Sequence, residues 1–236
     1  MVGQMRLVRE KGRGRMEAVE LGPVPVLRAT VYEPEGLSGK RLERRLKRAE
    51  RRLAKAGVCR IILGADFPYG EKLRVLRPID VWPMRRGLAD VFALGALAAQ
   101  GIPPNRGRVA LSAPRLCPEL TAAAERLCPQ VRGLLIDAPG GVEYARWLHV
   151  RCGIPVTPPA AGADVTAAFG PGGGRWGRTV ELYDGGSLNG LTLRAEDLTL
   201  PEDCAGQLLA LLWEEGRLNR GHLTAVLEHQ NPQRTD

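Results

Sequence analysis

The sequence predicts an α/β chain, with a three-layer, mostly parallel sheet and helices on both faces. Three observations carry that prediction. Short apolar or β-branched segments alternate with helix-period segments from residue 24 to residue 169. Two of the strands, Ile61 to Leu63 and Leu134 to Ile136, are apolar without a break, as strands buried on both faces are. Predicted helices close on Gly57, Gly101, Gly153 and Gly216, where a left-handed residue ends a helix at least cost.

Val24 to Tyr32 is β-branched and partly alternating, a strand. Ser38 caps a helix running to Ala56, with Leu42, Leu46, Ala49 and Leu53 on its inner face. Residues 58–63 form the next strand, and 65–83 a loop rich in proline and aromatic residues. A helix is predicted over 84–100, strands over 108–112 and 133–137, and helices over 118–128 and from Gly140-Gly141 to Cys152. Ile154 to Val156 reads as a short strand, and 163–169 as a longer one. A glycine-rich loop spans 170–177 and a strand 179–183. The Asp184-Gly185-Gly186 turn leads to an antiparallel edge partner ending near Leu193. A helix over 201–215 and a short terminal helix near 221–229 complete the chain. Residues 16–236 read as a single domain, with a possible two-lobe divide near residue 104, where Gly101-Ile102-Pro103-Pro104-Asn105 is loop-like.

The 236 residues carry 34 basic and 26 acidic side chains, a formal charge of +8. Residues 1–15 hold +4 of it and residues 40–55 hold +7, which leaves the remainder at −3. A uniformly basic protein that coats nucleic acid is thereby excluded. The first fifteen residues read as a flexible basic leader, with Met16 as an alternative start. No run approaches the roughly 18–20 apolar residues of a membrane-spanning helix. Five cysteines form no paired framework, which points to a reducing, cytoplasmic setting without a membrane partner. Cys59, Cys152 and Cys204 read as small buried hydrophobes.

Strand 108–112, a helix, strand 133–137 ending in Asp137, a second helix, Gly153-Ile154-Pro155-Val156 and Ala163-Asp164-Val165-Thr166 follow one another in that order. This layout of residues 105–184 resembles the second half of many Rossmann-type dinucleotide-binding proteins, and implies that fold. In that family a Gly-x-Gly-x-x-Gly loop follows the first strand and an acid ends the second. Asp137 stands at the acid position, 25 residues after Ser112, but Ser112, Pro114 and Cys117 stand where the three glycines belong. Proline at the middle position adds ring bulk and removes an N–H donor. The ordinary NAD(P) loop is therefore absent, and the ATP-binding P-loop is absent as well, since no Lys-Ser/Thr pair follows the glycines at 172–174. The cofactor is left open.

In a parallel sheet, ligands bind beyond the carboxyl ends of the strands. Those ends are 64–66, 112–114, 137–141 and 170–174, and they nominate Asp66, Ser112, Asp137, Gly140, Gly141, Gly172 and Gly173 as a ligand crevice. Gly140-Gly141 ahead of a helix offers backbone N–H groups to an anion. Asp66 and Asp137 are a possible acid–base pair. The 40–55 helix nominates Arg44, Arg45, Arg48 and Arg51 for contact with an acidic partner or nucleic acid. No nucleophile elbow is present, and the three histidines, His149, His222 and His229, lie near no ligand-spaced cluster, so no metal is expected. The leading expectation is a non-catalytic or degenerate protein that binds a small molecule or protein partner at the strand ends, with a homo-oligomer left open. An NAD(P)-dependent oxidoreductase with an atypical phosphate loop is the first alternative. An interaction protein using the arginine-rich helix is the second.

Overall fold

The computed structural model describes residues 1–64, 67–153 and 162–228. In chain order its elements begin with strands β1 (Val2–Val8), β2 (Arg15–Leu21) and β3 (Val24–Tyr32), helix α1 (Gly39–Lys55), and strands β4 (Arg60–Leu63) and β5 (Arg77–Pro78). Helices α2 (Trp82–Gly87) and α3 (Ala89–Ala98) follow, then β6 (Arg108–Ser112), α4 (Pro118–Leu127), β7 (Gly133–Asp137) and α5 (Gly141–Cys152). The remainder is β8 (Val165–Ala168), β9 (Arg178–Glu181), β10 (Leu191–Ala195), α6 (Ala205–Glu214) and β11 (Leu223–Leu227). The architecture is mixed α/β with mostly parallel sheets and one separate antiparallel pair.

The chain forms two compact units. Met1–Val81 with Asp197–Leu218 makes the first, and Trp82–Glu196 with Asn219–Asp236 the second. The division thus falls at Val81, not near residue 104. The segment around 104 is a single tight turn in which the Gly107 N–H donates to Pro103 O at 3.1 Å. It joins α3 to β6 inside one unit.

The first unit is built on a sheet of order β2-β3-β1-β4-β5. β2 and β3 form an antiparallel hairpin; β1 runs parallel to both β3 and β4, and β4 parallel to β5. Helix α1 carries the chain from β3 to β4 over one face. Leu42, Leu46 and Leu53 pack there on Met5, Ala29, Val31 and Ile61. Buried Glu50 turns its carboxylate inward, where one oxygen accepts from the N–H groups of Arg74 (2.7 Å), Val75 (2.7 Å) and Leu76 (3.1 Å). At β4, Leu63 N donates to Gln207 Oε1 at 2.7 Å, and Arg60 and Glu214 form a two-pronged ion pair, so α6 is fixed to that strand.

Residues 1–15 are no flexible leader. β1 is the middle strand of this sheet, with Met5 fully buried and Gln4 accepting from Arg28 Nε at 2.6 Å. Met5 and Leu7 alternate with Gln4 and Arg6, the period-2 pattern of a strand, but the surrounding basic residues mask it.

The second unit holds an all-parallel sheet of order β7-β6-β8-β9. The first crossover, through α4, runs from β6 to β7. The next, through α5, passes back over β6 to β8. Since such crossovers are right-handed, this reversal puts α4 and α5 on opposite faces and leaves a switch point beside β6. α3 is apolar on nearly every side because it packs against β8, β9 and α4 and also against β11. Gly95 permits the last contact, since a Cβ there would sit 2.3 Å from Ala225 O. The only charge buried in α3 is Asp90, which pairs with Arg126 at 3.2 Å and with Arg220.

Three expectations change here. The helix over 84–100 is interrupted at Leu88, whose φ of −105° and ψ of 23° start a second helix. The 179–193 segment does not fold back as an edge hairpin. β9 is parallel to β8, and positive φ at Asn189 (52°) and Gly190 redirects the chain so that β10 pairs with β11 instead. The predicted terminal helix is therefore strand β11, whose Leu223 and Ala225 alternate inward against α3. Ile154 to Val156 and the last residue of the predicted terminal helix, His229, lie outside the described residues. Cys59 and Cys152 are exposed, at the edge of β4 and the end of α5, whereas Cys204 is buried.

Candidate functional site

Ser112 ends β6 and Asp137 ends β7, adjacent strands in register, so the two side chains meet at the carboxyl edge of the second unit's sheet. Ser112 is fully buried and its hydroxyl donates to Asp137 Oδ2 at 3.0 Å. The same carboxylate oxygen accepts from Gly174 N at 2.6 Å. The glycine-rich loop after β8 is thereby drawn over the strand ends. Gly173 makes the approach: its φ is 75°, and a Cβ on it would lie 2.3 Å from Ser112 Oγ and 2.9 Å from Asp137 Oδ2. Only glycine fits.

Arg175 holds the loop in shape. Its Nη1 donates to Gly172 O (2.5 Å), and its Nη2 to Gly170 O (3.1 Å), while Nη1 also lies 3.4 Å from Ser112 Oγ. Behind it, Glu181 sits 4.0 Å from the guanidinium and accepts from Tyr183 OH (2.6 Å) and Ser187 N (3.0 Å). Those two donors, with Arg175 adding a smaller share, hold the Glu181 carboxyl below its ordinary value. The bond to Glu181 in turn raises the Tyr183 phenol. Trp176 closes the rear of the loop, its backbone N–H and C=O both bonded to buried Thr166 Oγ1 at 2.8 and 2.7 Å.

Of the nominated residues, Ser112, Asp137 and Gly173 come together, and Gly172 contributes its carbonyl. Gly140 (φ 76°) and Gly141 form the turn into α5, and the Gly141 N–H is already given to Ala138 O at 2.8 Å. Asp66 lies outside the described residues. Arg175, Glu181 and Tyr183 were not nominated. The pattern Gly-Gly-Gly-Arg was a signal for the first, because an arginine next to exposed loop carbonyls has acceptors at hand.

On α1, Arg45 and Arg48 border a groove in the first unit, whereas Arg44 and Arg51 are exposed outside it. Among the described residues no group of three His, Cys, Asp or Glu side chains is placed to hold a metal, and no helix is long and apolar enough to cross a membrane.

No family model matches the chain, and no curated protein matches it. Among solved structures it is similar to L-tryptophan dehydrogenase from Nostoc punctiforme, with a TM-score of 0.31 and 15% identity over 71% of this chain. The chain spans 55% of the length of that protein.

Proposed function

We propose that the second unit is a binding module for a small polar ligand at the carboxyl ends of β6, β7 and β8, and that binding rather than bond chemistry is its task. What supports this is the convergence of Ser112, Asp137 and the Arg175 loop on one point beside the sheet's switch point. Asp137 offers acceptor oxygens and Arg175 offers guanidinium donors, so the matching ligand carries a hydroxyl or amine next to a carboxylate or phosphate. Bonds inside the loop hold it closed, and the ligand's acidic group replaces the Gly170 and Gly172 carbonyls on Arg175. Ser112 does not fit a nucleophile. It is fully buried, and its partner is a carboxylate rather than an imidazole.

A thermal-shift panel of nucleotides, dinucleotides and acidic hydroxylated metabolites tests the reading. The expected hit raises the melting temperature of the wild-type chain and loses its effect in Asp137→Asn. A panel in which no member stabilises in an Asp137-dependent way contradicts the proposal. Strong Asp137-dependent stabilisation by NAD or NADP redirects it to the oxidoreductase reading, with Asp137 on a ribose hydroxyl.

A further inference from the structure

The first unit contains a groove of about 450 Å³ between α1 and the β2–β3 hairpin. Arg13, Arg15, Arg45, Arg48 and Arg52 line it, with Met16, Ala49 and Tyr32 between them, and among the described residues no carboxylate does. The two basic segments that are separate in sequence, 1–15 and 40–55, thus meet in one concavity. Its volume is within the roughly 300–1,000 Å³ of small-molecule sites.

The charges in the groove are poorly compensated. Arg45, Arg48 and Arg52 are spaced three and four apart and stack along one side of α1, an arrangement of like charges that works against the helix. Arg45 donates to Tyr32 O at 2.5 Å, which fixes the side chain but leaves its charge unopposed. Arg15 is engaged by Glu17 at 3.6 Å. Among the described residues no carboxylate lies within ion-pair distance of Arg13, Arg45, Arg48 or Arg52. Glu50, on the same helix, has turned its charge away to the backbone of residues 74–76.

From this we infer that the groove is a binding site for a small organic molecule carrying two linked phosphoryl groups. Four uncompensated guanidiniums need several negative charges, and each phosphoryl group supplies about −1.5 to −2 near neutral pH. Guanidinium forks match phosphate oxygens in pairs, which a lone carboxylate ligand does not exploit as fully. The floor is apolar, with partly exposed Met16 and Ala49 lying over the buried Ala29 and Val31, and receives the organic body rather than more charge. A concavity of this size favours such a ligand over a nucleic-acid strand, which a basic surface binds along its length. The inference is independent of the site proposed in the second unit.

Calorimetric titration of the full chain at low salt tests it, with inorganic pyrophosphate, ADP, AMP and adenosine as probes. ADP and pyrophosphate are expected to bind, AMP more weakly, and adenosine not at all. The double substitution Arg48→Ala with Arg52→Ala weakens ADP roughly tenfold or more. Arg44→Ala with Arg51→Ala, on the exposed side of the same helix, changes it less than about threefold, as expected for charges outside the groove. Circular dichroism confirms that both double variants fold. Three results overturn the inference: neither phosphate binding below about 1 mM, equal losses in the two double variants, or a mixed-sequence single-stranded oligonucleotide binding more than tenfold tighter than ADP.

Discussion

The two units treat polar groups in opposite ways. In the second unit these charged side chains are answered from within: Asp137 by Ser112 and Gly174, Arg175 by loop carbonyls and Glu181, Asp90 by Arg126 and Arg220. In the first unit one oxygen of the buried acid Glu50 is taken by three backbone N–H groups, while among the described residues the groove arginines beside it on α1 have no acid within ion-pair distance. The difference sets what each of the two proposed sites must do to take a ligand. A satisfied cluster must be opened before it binds, whereas an unsatisfied groove gains by being filled.

The sharpest way to break the comparison is to remove an internal answer. Asp90→Ala leaves two arginines facing an apolar helix, and is expected to destabilise the second unit by about 3 kcal/mol. In a melting curve that is a drop of roughly 6–12 °C for a chain of this size. A drop no larger than that of an exposed-site variant would show the pair to be incidental. Glu50→Ala in the first unit strands three N–H groups and costs about 2 kcal/mol, measured by urea unfolding. Glu50→Gln keeps an acceptor oxygen, so it should recover at least half of that loss; equal loss would locate the effect in packing.

Smaller effects sharpen the picture. Asp137→Asn weakens the bonds to Ser112 and Gly174 and should lower stability by about 1 kcal/mol. The larger readout is faster amide exchange at residues 172–175, and unchanged exchange would mean that Arg175 alone holds the loop. Burial pushes the Cys128 and Cys204 thiols up to about 12, helped by neighbouring Cys152 and Asp203 respectively. At pH 8 exposed Cys59 should therefore alkylate roughly tenfold or more faster than either, by mass spectrometry. Equal rates would contradict the burial.

The Glu181–Tyr183 pair gives the smallest expected effect. Glu181 is held below its ordinary 4.5, so its stabilising share is complete above that value and lost as pH falls through the lowered one. Tyr183 is held above its ordinary 10.0, so its share is complete below 10.0 and lost as pH rises through the raised value. The stability difference between wild type and Glu181→Gln should therefore shrink on acidification below about pH 4. A difference that is constant with pH would rule out the carboxylate as its source.

Much of the fold was legible in the sequence. β3, β6 and β7 have the ends that their apolar and β-branched runs suggest, α1 and α4 follow their leucine and alanine spacing, and α5 runs between the glycines that bound it. What was hidden is instructive. β1 carries only Met5 and Leu7 as inward apolar side chains of any size, too few to stand out among basic neighbours. β11 reads as helical because its five residues follow an arginine- and histidine-rich turn, and its pairing with β10 is a long-range contact that no local pattern encodes. At the strand ends, Ser112 and Asp137 were legible because strand register brings consecutive carboxyl ends together. Arg175 was signalled only by the Gly-Gly-Gly-Arg pattern; which loop carbonyls it takes is set by the left-handed Gly172 and Gly173 and is not encoded in the spacing. The groove joins Arg13 to Arg48 and Arg52 only through the placement of β1 and β2 in the sheet, and so it depends on the strand that the sequence disguised.

The contrast between an open basic groove and a closed strand-end cluster is tested most directly by hydrogen exchange of the full chain with and without ADP at low salt. The account predicts slower exchange at residues 12–16 and 45–52, with residues 170–175 unchanged. Protection at 170–175 with none along α1 would contradict it.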